Sequence, residues 1–184
     1  MGLNCAPMMD PQTPSDDALV DLRELARRDA RMQGRRALAA MPRLAAALAE
    51  APGERQAQWS LHGFVQVLPG GGSQPMAELE VRAVLALQCQ RCLRTVEVPV
   101  DEHALFRLVD VEPELSMDEL EAQDEALCAT APVDLHALVE DQLILALPLV
   151  PMHASCAPPA APDASVDTSV DTSPFAVLQR LRPR

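Results

Sequence analysis

Two pairs of residues in this chain have the types and the spacing that hold a metal ion. Cys89 and Cys92 are separated by two residues, so both thiolates can turn toward one ion. Further along the chain, His153 and Cys156 provide a compatible second pair. Three thiolates and one imidazole form a common ligand set for tetrahedral Zn²⁺. These four residues are therefore a candidate Cys3His zinc site.

Other interpretations of these residues remain open. Cys89 and Cys92 could be a thiol redox motif, but such motifs usually lie at the N-terminus of a helix, and strand-like runs flank this pair. Alternatively the pair forms only a turn, and Cys156 is incidental. Glu140 and Asp141 are adjacent on a predicted helix and point in different directions, which favours a solvated or structural role over acid–base catalysis. We therefore expect a protein that is not an enzyme.

A helix with a proline-broken exit should position the second pair. Asp134 is a candidate N-cap, and Pro148 ends the helix. Between them, apolar residues recur at helical spacing and predict a buried stripe: Leu135, Leu138, Val139, Leu143 and Ala146. Pro151 keeps the following residues extended.

Strands should position the first pair. Alternating apolar and polar residues predict strands over 57–67, 76–88 and 96–109, the last with a kink near Pro99. Helices are predicted over 15–29, 42–50 and 113–127, and a short extended piece over 31–38. The predicted fold class is α+β, an antiparallel β-meander that packs against helices and has one solvent-exposed face.

Composition divides the chain into four parts. We predict a disordered lead over 1–15 and a single α+β domain over 16–156. A low-complexity tether over 157–173 follows, because its Pro, Ala, Asp, Ser and Thr cannot bury enough surface to fold. Residues 174–184 predict a short basic amphipathic helix that is too short to be stable alone and is suited to docking.

Charge is unevenly distributed along the chain. The formal net charge of −12 argues against a simple nucleic-acid coat, and all 15 basic residues are arginines. Arginines outnumber acids over 21–60, whereas acids dominate 95–142. The acidic helix predicted over 113–127 could therefore contact a basic protein.

Some of the arginines are candidates for contact with RNA phosphate. Arg91 and Arg94 flank the cysteine pair, and Arg35 and Arg36 lie in the N-terminal half. The alternative is ordinary solubilising surface charge.

Nothing in the sequence indicates a membrane or a secretory route. No apolar run reaches the length of about 18 residues that a spanning helix requires. The first ten residues lack the basic and apolar regions of a signal peptide. We therefore expect a cytoplasmic protein without a membrane partner.

The chain resembles the YceD family, the bacterial group of large ribosomal RNA subunit accumulation proteins. The matching stretches are Leu87–Cys92, Asp134–His153 with the following Cys156, and Pro174–Leu178, in the family's order and spacing. Weaker likeness lies in Pro42–Leu44 and Trp59–Gly63. Gln142 departs from the family, in which an acid is common at this position.

The resemblance implies a role in the synthesis, processing or stability of 23S rRNA and in biogenesis of the large ribosomal subunit. The implied partners are 23S rRNA or pre-large-subunit particles. The alternative is a zinc-stabilised protein–protein adaptor that does not act on RNA. A nuclease is disfavoured, because the sequence shows no constellation of metal-binding carboxylates.

Overall fold

A computed structural model of the protein describes residues 18–114 and 116–159, with the backbone alone at Asp118. The predicted lead over 1–15, nearly all of the predicted tether and the predicted helix over 174–184 lie outside these residues. The elements are, in chain order, β1 (Leu19–Val20), α1 (Leu22–Arg27), β2 (Arg31–Ala37), a short 3-10 turn (Leu38–Ala40), α2 (Pro42–Ala47), β3 (Gln56–Val67), β4 (Ser73–Gln88), β5 (Thr95–Val109), α3 (Met117–Glu121), β6 (Glu125–Cys128), β7 (Val133–Asp134) and α4 (Leu135–Leu145).

A five-stranded sheet in the order β2-β3-β4-β5-β6 forms the frame of the domain. The strands from β2 to β5 pair antiparallel in sequence order, so the predicted meander and the α+β class are confirmed. β6 then pairs parallel to β5, with Phe106 opposite Glu125 and Val109 opposite Cys128, which makes the sheet mixed. A second, two-stranded sheet joins β1 to β7.

The prediction of an acidic helix over 113–127 is wrong for most of that range. Helix α3 covers only Met117–Glu121, and its apolar Met117 and Leu120 side chains are exposed, so no buried face extends the helix. Leu127, which the helical pattern included, instead lies in β6 opposite Leu108 of β5. Pairing with the sheet edge outweighs the weak helical periodicity at this point.

Two other predicted elements also differ in extent. The first helix begins at Leu22, because the Asp21 side chain accepts a hydrogen bond from the Glu24 N–H and caps it there. β5 runs through Pro99 without a break. Proline is tolerated at this point because β6 pairs only with the far end of β5, so that among the described residues one side of Pro99 has no strand partner.

The helices cover one face of the large sheet and enclose an aliphatic core. Fully buried side chains come from the helices (Leu22, Leu44, Val139 and Leu143) and from the facing strands (Leu61, Leu79, Val81 and Leu85). Helix α1 approaches the sheet most closely at Gly63 of β3. A Cβ atom on Gly63 would lie 2.6 Å from the Ala26 backbone nitrogen of α1. A side chain at Gly63 would therefore push α1 off the sheet.

Helix α4 is fixed at its start and in its middle by carboxylates. The predicted N-cap is confirmed, since the Asp134 side chain accepts hydrogen bonds from the backbone N–H groups of His136 and Ala137. Glu140 is only 6% exposed and reaches across to α2, whose own N-cap residue supplies no side-chain bond. Its Oε1 accepts from the N–H groups of Arg43 (2.7 Å) and Leu44 (3.0 Å).

Glu140 thus caps a helix that is distant in sequence. Its other oxygen lies 3.3 Å from Arg43 Nη2, and the neighbouring Asp141 holds Arg43 Nη1 at 2.6 Å. Asp141 is 46% exposed, so its ion pair contributes far less than the buried bonds of Glu140. The Glu140–Asp141 pair therefore has a structural arrangement, with one buried and one solvated member.

The opposite face of the large sheet is polar, as the alternating pattern predicts. On it, Glu78 of β4 lies between His103 of β5 (2.7 Å) and His62 of β3 (3.6 Å). Hydrogen bonding to His103 lowers the pKa of Glu78, and the same bond raises the pKa of His103, with a smaller contribution from Glu80. These groups stabilise each other's charged forms.

We predict that Glu140→Ala lowers the free energy of unfolding by about 2–4 kcal/mol, because two N–H groups of α2 lose their acceptor. Asp141→Ala is the matched control and should cost less than about 1 kcal/mol. Urea denaturation followed by circular dichroism measures both values. Equal losses in the two variants would contradict the capping role of Glu140.

A second prediction concerns pH. The contribution of His103 to stability is full below its ordinary pKa of 6.5 and is lost as the pH rises through its raised folded pKa. The contribution of Glu78 is full above its ordinary pKa of 4.5 and is lost as the pH falls through its lowered folded pKa. The pair should therefore stabilise most between these limits. In an NMR titration, Glu78→Gln should return the His103 pKa toward 6.5; an unchanged value would contradict the pairing.

Candidate metal centre

The turn between β4 and β5 buries the first cysteine pair. The Cys89 N–H donates to the Arg94 carbonyl, and the Leu93 N–H donates to the Cys89 carbonyl, each at 2.9 Å. Leu93 adopts a left-handed conformation (φ 60°) that closes the turn. Cys89 is fully buried and Cys92 is 8% exposed, so both thiols lie beneath the turn.

The chain leaving α4 returns to this turn. Ala146 ends the helix by donating to the Gln142 carbonyl, and Pro148 follows. Residues 147–159 have no helix or strand. The Gln90 N–H donates to the Pro151 carbonyl at 2.9 Å and thereby attaches the helix exit to the turn.

This attachment brings all four predicted metal ligands together. Their ligand atoms all lie within 4.8 Å of one another. Cys89 Sγ is 3.8 Å from Cys156 Sγ, and Cys92 Sγ is 3.4 Å from His153 Nδ1. A tetrahedral Zn²⁺ with its usual bond lengths sets edges of about 3.8 Å between sulfurs and about 3.5 Å between sulfur and nitrogen. The donor types and their spacing therefore fit a tetrahedral ion.

The surroundings of the turn favour thiolates at its two cysteines. Burial alone would raise the pKa of Cys89, but nearby backbone N–H groups, those of Cys92 and His153 foremost, lower it to about 5. The backbone N–H of Arg94 lowers the pKa of Cys92. Burial and the neighbouring thiols raise the pKa of Cys156. Three neighbouring thiolates would repel one another. A cation at the centre of the cluster would offset this repulsion, because metals bind the deprotonated thiol.

The candidate phosphate-binding arginines fall into two separate groups. Arg91 and Arg94 are exposed beside the cysteine cluster, and Arg91 also contacts the Cys156 carbonyl (3.4 Å). Arg35 is exposed on β2, whereas Arg36 Nη1 lies 2.7 Å from Nδ1 of a histidine near the start of α4. The cysteine cluster lies beyond the other end of this 11-residue helix, so about 16 Å of helix separates the two groups.

Sequence reasoning missed an apolar surface around the cluster. Four large side chains are 46–100% exposed there: Leu93, Leu149, Val150 and Met152. Three of them, Leu149, Val150 and Met152, belong to the apolar run that follows Pro148. This run is the feature of the sequence from which the apolar surface could have been predicted. Met152 also contacts Arg91, with 3.7 Å between Sδ and Nη2.

The fold and the candidate centre together define a class of protein: an α+β domain in which a Cys3His cluster joins the β4–β5 turn to the exit of α4. A family model described as "Large ribosomal RNA subunit accumulation protein YceD" matches residues 77–182, which is more than half of the chain. The chain belongs to this family. No solved structure matches the chain.

The family match includes all four clustered residues and confirms the resemblance. It also contains the three stretches that carry the resemblance most strongly, while the weaker stretches at 42–44 and 59–63 lie before it. Within the described ranges, no helix has the length and apolar character needed to cross a membrane.

We predict that purified, untagged protein holds about one metal ion per chain. The variants Cys92→Ser and Cys156→Ala should each hold far less metal, because three ligands bind the ion much more weakly than four. His62→Ala, which removes a histidine outside the cluster, is the matched control and should retain the metal. Elemental analysis measures all four proteins. A wild-type protein that holds far less than one ion would contradict the metal site.

Proposed function

We propose that this chain is a non-enzymatic, cytoplasmic factor that supports 23S rRNA synthesis, processing or stability, and with it large-subunit biogenesis. The observation that carries the proposal is membership of a family described by accumulation of large-subunit ribosomal RNA. The partners we propose are 23S rRNA or pre-large-subunit particles. A basic ribosomal protein is a further proposed partner, since the chain carries a formal charge of −12.

Zinc is the ion that we propose for the Cys3His cluster. Thiolate and imidazole donors select zinc over Mg²⁺ or Ca²⁺, which prefer oxygen. Four protein ligands leave no open coordination position, which is typical of a structural site rather than a catalytic one. The ion would hold the helix exit against the β4–β5 turn.

The surface beside this cluster is where we propose contact with RNA. Arg91 and Arg94 lie on the turn, and neither the turn over 88–94 nor the helix exit over 143–159 contains an acidic residue. In an acidic protein such a locally basic end is the part that attracts phosphate. The bonds of Arg91 to Cys156 and Met152 hold its guanidinium at the surface.

One observation favours the alternative, a zinc-stabilised adaptor that binds protein and not RNA. The same end of the molecule carries the exposed apolar side chains of Leu93, Leu149, Val150 and Met152. Exposed apolar clusters of this kind mark protein–protein contacts. RNA crosslinking followed by sequencing separates the two functions: reads on 23S rRNA support the first, and background alone supports the adaptor.

The test of the proposed function is a deletion strain. We expect a lower ratio of 23S to 16S rRNA, accumulation of 23S precursors and a smaller large-subunit peak on a gradient. The wild-type gene should restore all three, and an alanine variant of Cys92 should not if the cluster is needed. Normal rRNA and subunit profiles in the deletion strain under several growth conditions would count against the proposal.

A further prediction concerns the arginines of the turn. The double variant Arg91→Ala/Arg94→Ala should cosediment less with pre-large-subunit particles, and the salt dependence of binding should decrease by about one unit of slope per arginine. The control is Arg55→Ala/Arg82→Ala, because these arginines already pair with acids. Metal content is measured in both proteins to confirm an intact cluster. Unchanged cosedimentation of the first variant would exclude these arginines from the contact.

A further inference from the structure

The apolar surface beside the cysteine cluster is not covered by the described part of the chain. Leu93 is 57% exposed and Leu149 is 100% exposed, and Val150 and Met152 are exposed as well. Exposed apolar surfaces of this kind mark contacts with another segment or another molecule. An occupant with apolar side chains is therefore expected.

Hydrogen bonds hold this surface in place. The Gln90 N–H donates to the carbonyl of Pro151, which lies between Val150 and Met152 in sequence. The Arg91 guanidinium contacts both the Met152 sulfur (3.7 Å) and the Cys156 carbonyl (3.4 Å). An occupant would therefore meet a surface that is already ordered, which lowers the entropic cost of binding.

The described chain ends beside this surface. Its last residue, Pro159, follows Cys156 by three positions, and the Cys156 carbonyl contacts the same guanidinium as Met152. Residues 160–184 therefore continue the chain from the edge of the surface that lacks a cover.

Residues 174–184 carry apolar side chains that suit such a surface. Phe175, Leu178 and Leu181 recur at three-residue spacing, which would place them on one face of the predicted helix. A helix of this length is not stable alone in water and needs a surface to pack against. The family match extends to residue 182, so one unit includes the cluster, the apolar surface and nearly all of this segment.

The length of the connection favours this segment over a separate molecule. Residues 160–173 form the connection, and a random coil of this length has a root-mean-square span of about 20 Å. A group attached in this way has an effective concentration on the order of millimolar at a surface within that span. A second copy or a partner protein would have to reach a similar concentration to compete.

The exposed apolar residues of α3 are a rival surface. Met117 and Leu120 are 67% and 63% exposed, and the acids between and beside them in sequence would attract the arginines of the segment. However, Glu119 of α3 pairs with Arg107 near the end of β5, whereas the cysteine turn precedes the start of β5. β5 spans 15 residues, or about 50 Å, which is more than twice the span of the connection. The surface beside the cluster is therefore favoured.

We propose that residues 174–184 bind the apolar surface of Leu93, Leu149, Val150 and Met152 within the same chain. The contact is apolar and not ionic, because arginines occur both in the segment and on the turn beside the surface. Exposed like charges repel weakly and are screened by salt, so docking should not weaken as ionic strength rises. Docking does not depend on the proposed role in rRNA accumulation, so either can fail without the other.

The test replaces Phe175 with photoreactive benzoylphenylalanine in the purified full-length protein at low concentration. Irradiation should link this position to Leu93 or to residues 149–152 of the same chain, as located by mass spectrometry of the linked peptides. The same probe at Val166, within the connection, is the control and should give at least about fivefold less of these products.

Surface variants make the test specific. Leu149→Ser/Val150→Ser should lower the yield of these products about tenfold, because two apolar contacts are lost at exposed positions that do not support the fold. Met117→Ser/Leu120→Ser is the matched control on α3 and should leave the yield within about twofold. Metal content, measured in both variants, confirms that the cluster is intact.

Several outcomes would overturn the proposal. Products that fall mainly on α3 would assign the segment to the acidic surface, and loss of the products at high salt would show an ionic contact. Equal yields from the probes at Phe175 and Val166 would exclude specific docking. Crosslinked dimers whose share grows with protein concentration would assign the apolar surface to a second copy of this chain.

Discussion

The attachment of the α4 exit to the β4–β5 turn is the constraint on which the arrangement of the Cys3His cluster depends. Residues 147–159 have no helix or strand, and beyond Leu147, which packs against the core, their large apolar side chains are exposed, so burial of apolar surface does not fix the path of this segment. The Gln90–Pro151 hydrogen bond and the Cys3His cluster fix it instead. The cluster closes a long loop that contains β5, α3 and α4, and a bound ion would supply free energy to offset the entropy of that closure.

The middle of α4 depends on a different interaction. Glu140 supplies the acceptors that the first turn of α2 lacks, and it does so from a position that is otherwise part of a buried helix face. A buried carboxylate is unfavourable without such partners, so α2 and α4 are stable in this arrangement only together. Helix α4 is thus held by Asp134 at its start, by Glu140 in its middle and by the cluster beyond its end.

Sequence patterns predicted the parts of this arrangement that depend on local chemistry. The N-cap at Asp134, the Cys89–Cys92 and His153–Cys156 pairs and the alternation in β3 and β4 each follow from residue types at short spacing. The burial of Glu140 could not be predicted, because its partner Arg43 is 97 residues away in sequence. The parallel pairing of β6 with β5 was missed for the same reason: Glu125–Cys128 carries no strong strand pattern of its own and is extended because β5 offers a free edge.

Charge is unevenly distributed over the molecule. Strand β4 spans 16 residues and the cysteine turn follows directly after its end, so the Cys3His cluster lies at one end of the large sheet. The turn over 88–94 carries Arg91 and Arg94 and no acidic residue, so it would repel phosphate less than the acidic stretch over 95–142 does. If Arg91 and Arg94 contact RNA, an ion bound by Cys89 and Cys92 would also fix the position of both arginines, because all four residues lie on one turn.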